Sequence, residues 1–128
     1  MPQHKRMSSL NPILTWTFVE EVAVPDSVRG LLIDGEEAVG AYRTIRDVAT
    51  ITNKRIIIAD KQGITGKKIE IYSIPFKSIV MYSTENAGSF LDFNAELELW
   101  TKAGHFKINL NKGIDIRKVD RLIASYIL

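Results

Sequence analysis

From Glu37 onward, apolar and polar residues alternate along the chain with a period of two. Glu37 to Ile45 reads as a strand, and Val48 to Thr52 with Arg55 to Asp60 reads as a hairpin. Asn tolerates positive φ, so Asn53-Lys54 is expected to close that hairpin as a two-residue primed turn. The Ile56-Ile57-Ile58 run calls for burial on a sheet. Gly63 and Gly66 let the chain reverse before a strand at Ile69 to Ile74, which Pro75 ends. Phe76 to Ile79 suits one helical turn, and Val80 to Thr84 is extended again. In Ala95 to Thr101 the apolar face is Leu97 and Leu99, opposite Glu96, Glu98 and Trp100. Lys102-Ala103-Gly104 turns the chain, and Phe106, Ile108 and Leu110 alternate once more.

After Gly113 the period changes. Ile116, Val119, Leu122, Ile123, Tyr126 and Ile127 recur at three and four, which predicts an amphipathic C-terminal helix. Upstream, Pro25-Asp26-Ser27 opens a short helix with Val28, Leu31 and Leu32 on one face, stopped at Gly35. Ile13 to Val19 fits helix or strand, with the reading leaning to helix from Asn11-Pro12. The sum is a mainly β (α+β) domain of about seven antiparallel strands, a C-terminal helix and a short N-terminal helix. An amphipathic terminal helix can plug one open end of such a barrel.

Composition narrows the class only modestly. The chain has 128 residues, 45% hydrophobic and 25% charged, which suits one globular domain. Its 17 basic and 15 acidic residues leave a net charge of +2, too small a bias to point to nucleic acid. It has no cysteine, which excludes disulfides and thiolate metal sites, and its two histidines, His4 and His105, stand far apart. No cofactor is implied. No apolar run approaches the roughly 20 residues that span a bilayer. A signal peptide is not expected, and a cytoplasmic location is the default.

Four blocks carry a specific likeness. They are Tyr42 to Asp47, Thr52-Asn53-Lys54-Arg55, Asp60 to Lys68 and Ser73 to Ile79, and Ala95 to Trp100 with the closing helix accompanies them. In this order and spacing they resemble the bacterial pleckstrin-homology (PH) family, long described as a domain of unknown function. The likeness runs from about Val24 to Leu128, leaving residues 1–23 as an extension, partly helical or mobile, outside the PH-like domain at 24–128. It implies a PH-like barrel, assembly into ring-shaped homo-oligomers, no enzymatic activity and no agreed ligand. This chain departs from the family at Ala87-Gly88-Ser89-Phe90, where a histidine is usual, and in a longer loop at Leu91 to Asn94.

Candidate chemistry is sparse. Glu20-Glu21 and Glu36-Glu37 are adjacent pairs, and neighbours in sequence do not face one catalytic point. Glu96 and Glu98 share a strand face, spaced for solvent or a subunit contact. Gly63 to Lys68 lacks Walker spacing and precedes a strand, so nucleotide binding fails on context. His105 reads as a surface or edge residue. Two surfaces stay open. Tyr82, Phe90, Phe93 and Trp100 are candidate interaction residues for a second copy, another protein or a peptide, although a loop could equally cover Trp100. Arg43, Arg46, Lys61, Lys67 and Lys68 are candidate anion-binding residues for peripheral contact with anionic lipid or a phosphate ligand, set against the ordinary role of such charges as a solvated, ion-paired surface. Strand Val80 to Thr84, or that near Glu37 to Ile45, could offer a sheet edge to a neighbour.

Overall fold

The computed structural model describes residue 12 and residues 14–62, 67–86 and 95–128. Eight strands form one open sheet: β1 Leu14–Val22, β2 Ala38–Thr44, β3 Val48–Thr52, β4 Arg55–Gln62, β5 Lys68–Pro75, β6 Ile79–Asn86, β7 Ala95–Thr101 and β8 Gly104–Leu110. Their order is β5-β4-β3-β2-β1-β8-β7-β6. Every neighbour pair is antiparallel except β1 and β8, which run parallel. A short helix, α1, spans Asp26–Arg29, and the amphipathic α2 spans Ile116–Ile127.

The eighth strand, Leu14–Val22, takes in the described part of the segment for which the sequence favours helix over Ile13 to Val19. Its β-branched and aromatic residues decide for strand once both neighbours are available: Leu14–Val22 sits between β2 and β8. Trp16 and Phe18 point into the core and are buried, while Thr15 on the alternate face is exposed. Trp16 packs against Tyr72 and Phe106, and Phe18 stacks on Tyr42 with centroids 5.0 Å apart.

A second correction concerns the β3–β4 turn. No residue there has positive φ, since the only positive values among the described residues fall on glycines. Side chains hold the turn instead. Thr52 Oγ1 accepts from the N–H groups of Lys54 and Arg55, each at 3.0 Å. Asn53 bridges outward, accepting from Glu37 N–H at 2.9 Å and donating to the Gly35 carbonyl at 3.0 Å. Asx and hydroxyl contacts of this kind substitute for a left-handed residue.

The third correction concerns edges. The strand near Glu37 to Ile45 is interior, because β2 pairs with both β1 and β3. The two outer strands are β5 and β6, joined through a 3-10 turn at Phe76–Ser78. The helix α2 packs at that corner. Val119 and Ile123 enter the core, and Tyr126 stacks on Phe76 at 5.8 Å. Asp115 caps the helix by accepting from Arg117 N–H. Lys118 reaches Glu21 on β1 at 2.8 Å, and Thr84 on β6 donates to Asp120 at 2.9 Å. The helix is thereby fastened to both halves of the sheet.

Candidate functional site

The Thr52 to Arg55 block proves to be a structural latch. Arg55 opens β4 and directs its guanidinium to Glu36, with Nε to Oε2 at 2.8 Å and Nη2 to Oε1 at 2.9 Å. Glu36 also accepts from Thr52 Oγ1 and from Ile33 N–H. Arg55 further donates to the Leu31 carbonyl and to Ser73 Oγ. One carboxylate thus ties the loop after α1 to the β3–β4 hairpin and, through arginine, to β5. The Arg55 hydrogen bonds hold the Glu36 carboxyl well below its usual range, at about 2, against the opposing effect of burial.

A second buried polar group lies on the outer face of β7 and β8. Sequence placed Glu98 for solvent or a subunit contact and His105 on the surface. The structure buries both, with Glu98 Oε2 at 2.5 Å from His105 Nε2. Trp100, open between an outward and a covered position, is covered: it stacks on His105 with centroids 4.8 Å apart and planes within 3°. Register explains the grouping, since Trp100 pairs with His105 across β7–β8 and Glu98 lies two residues along. Sequence alternation could place these residues on one face but carried no signal that the face is covered. Tyr82 on β6 is half-buried against the core. Phe90 and Phe93, with the Ala87 to Asn94 departures, lie outside the described residues.

The basic residues do not converge on one point. Arg43 is engaged by Glu20 at 3.2 Å across β1–β2. Arg46 donates through Nε and Nη2 to the Lys61 carbonyl, at 2.8 Å for Nε, and lies beside Asp60. Lys61, Lys67 and Lys68 are exposed at one end of the β4–β5 hairpin, where Gln62 pairs with Lys68.

Arg46 and Asp60 also line a slot of about 330 Å³ with Thr15, Thr17 and Thr44. A smaller apolar cleft of about 150 Å³ lies where Val28 and Leu31 meet Ile57 on β4 and Ile69 and Ile71 on β5. Among the described residues, no group of three or more His, Cys, Asp or Glu is placed to hold a metal ion. No described helix is long and apolar enough to cross a membrane.

An open, largely antiparallel eight-stranded sheet with a C-terminal helix at its corner is the architecture of a PH-like module. The family model for the bacterial PH domain matches residues 9–127, and the chain belongs to that family. It is 38% identical to a DUF1696 family protein with a pleckstrin-homology domain from Shewanella loihica PV-4, with a TM-score of 0.77 over 85% of this chain and 97% of that one. A pleckstrin homology domain from Shewanella amazonensis SB2B is 41% identical, with a TM-score of 0.64 over 80% of this chain and 83% of that one. The uncharacterized protein YjqA of Bacillus subtilis is 47% identical over 78 residues, 61% of this chain and 62% of YjqA, so the match spans less than two thirds of that relative. YozO, also uncharacterized and from B. subtilis, is 29% identical over 78% of this chain and 86% of its own.

Proposed function

We propose that this PH-like domain is a noncatalytic binding and scaffold module that self-assembles into a ring-shaped homo-oligomer. The observation that carries the reading is a pair of sheet edges that no described strand covers. β5 and β6 are each 8 residues long and form the two ends of one sheet. Each presents exposed apolar side chains, Ile69 and Ile71 on β5, Val80 and Met81 on β6. Unpaired edges with apolar side chains are templates for association. Pairing β5 of one copy with β6 of the next consumes both edges, and a closed head-to-tail ring leaves none exposed. Native mass spectrometry across a concentration and salt series tests this. A discrete oligomer that survives dilution supports the ring, and a monomer at tens of micromolar overturns it.

A second reading, peripheral binding of anionic lipid or a phosphate ligand, is favoured by the exposed Lys61 and Lys68 at one hairpin end. It predicts salt-sensitive retention on acidic vesicles. Equal retention on neutral and acidic vesicles removes it. Replacing Lys67 and Lys68 by Glu would abolish such binding.

A further inference from the structure

The ladder between β1 and β2 stops short of the start of β1. Its register runs from Val22↔Ala41 to Phe18↔Thr44, whereas β1 stays paired with β8 from Phe18 back to Leu14. Main-chain groups of successive residues in a strand point to opposite edges. The Phe18 carbonyl accepts from Asn111 N–H, just past β8, so Phe18, Trp16 and Leu14 serve the β8 side. Thr15 and Thr17 therefore turn their N–H and C=O groups the other way. That side opens onto the slot of about 330 Å³ whose far wall carries Arg46 and Asp60.

The charges in the slot are unevenly satisfied. Arg46 spends two donors on the Lys61 carbonyl. Asp60 Oδ1 is buried and accepts no hydrogen bond, with Arg46 Nε 3.4 Å away and outside bonding geometry. A buried acceptor left in that state favours an incoming donor.

We infer that this fork receives an extended polypeptide segment of a partner protein as an added strand along Leu14–Thr17, with a lysine or arginine of that segment answering Asp60. The four residues Leu14–Thr17, which no described strand pairs on this side, offer about 13 Å of strand at about 3.3 Å per residue, enough for a short segment to be read in register. Main-chain bonds to Thr15 and to the Thr17 N–H supply the pairing, since the Thr17 carbonyl belongs to the Phe18↔Thr44 step that ends the β1–β2 ladder. The carboxylate supplies the selection, because a basic side chain gains a charge-assisted bond there and an acidic one is repelled. This site does not depend on self-assembly, since the outer edges of β5 and β6 lie elsewhere on the sheet.

The test is selection of a randomised heptapeptide library displayed on phage against the full chain, followed by fluorescence polarisation with synthetic versions of the enriched peptides. The expected result is a sequence family without proline that carries Lys or Arg at one fixed position. Asp60→Asn and Thr15→Pro should each weaken binding about tenfold or more. N-methylation of alternate peptide bonds in the ligand should do the same, which keeps the test decisive if Thr15→Pro does not fold. The inference is overturned if no family is enriched, if the enriched family is acidic, or if affinity is indifferent to Asp60→Asn and to N-methylation.

Discussion

Arg55 holds Glu36 through two hydrogen bonds, 2.8 and 2.9 Å long, that join the first residue of β4 to the loop before β2. The carboxylate is buried and its partner is three-quarters so, which makes this pair unlike the exposed ones at Arg43–Glu20 or Lys118–Glu21. Removing one member leaves the other charged and unpaired, and that costs more than the intact pair contributes. Glu36→Gln or Arg55→Met should therefore lower unfolding free energy by about 2–4 kcal/mol in urea melts. Replacement of Arg43 by Met should change it by less than about 1 kcal/mol.

The same pair sets an acid limit. Glu36 has a folded-state value near 2 against 4.5 for the free group, so its contribution is fully present above pH 4.5. As pH falls from there towards 2, the unfolded chain takes up a proton the folded one resists, and stability declines. Comparing melting temperature against pH for the native chain and Glu36→Gln should show a shallower acid slope in the variant. Parallel curves over that interval would refute the assignment.

Asn53 offers a narrower test. Its side chain accepts from Glu37 N–H and donates to the Gly35 carbonyl, while its own φ is not positive. A primed turn would make Asn53→Gly the favourable substitution. The observed side-chain bridge makes both Asn53→Gly and Asn53→Ala unfavourable, by about 1–2 kcal/mol for the two lost bonds. Urea denaturation of the two variants separates the alternatives by sign.

Period-two alternation places β5, β7 and β8, which have one face on the core, whereas β3 and β4, buried on consecutive positions, are legible as apolar runs bounded by turn residues. Leu14-Thr15-Trp16-Thr17-Phe18 alternates with period two, but over five residues that signal is too short to outweigh the helix-start signal of Asn11-Pro12, and the strand's partner β8 lies more than ninety residues away. The edge strands were half legible for the same reason. Val80 to Thr84 is at an edge, but β2 gained a second neighbour from that unplaced segment. The Thr52 to Arg55 block was recognisable as a motif while its purpose was not, since its key partner, Glu36, lies across a loop. The slot was invisible because it is made by where two ladders part, a property of register and not of any residue. The charge of Arg46 suits an anion, yet its donors are directed to a carbonyl beside an acid.

Glu98 and His105 test how a buried pair behaves on the outer face of a sheet. His105→Phe keeps a flat ring against Trp100 but leaves Glu98 buried without its 2.5 Å partner. A loss of about 3 kcal/mol is expected. Combining it with Glu98→Leu removes the stranded carboxyl group, so the double variant should be more stable than His105→Phe alone. Losses that simply add in the double variant would mean that the two side chains do not act as a pair.

The free edges make the last prediction, and it separates the assembly from the fold. Ile71 on β5 and Val80 on β6 are exposed in the single chain, at 48% and 68%, so charging either should hardly disturb the core. A surface substitution of this kind ordinarily moves stability by about 0.5 kcal/mol or less. In a head-to-tail ring every subunit contributes one β5 edge and one β6 edge to different contacts. Ile71→Lys damages one side of every contact, and Val80→Lys damages the other side of every contact. Each single variant should therefore dissociate the oligomer while its far-ultraviolet circular dichroism and melting temperature as a monomer stay near native. An equimolar mixture of the two adds a sharper readout. A β5 edge from the Val80→Lys chain can still meet a β6 edge from the Ile71→Lys chain, so one intact contact forms per pair. The mixture should give heterodimers by native mass spectrometry and no ring. If either variant alone retained the full assembly, the edges would not be the contact, and the interface would have to be sought on another face of the sheet.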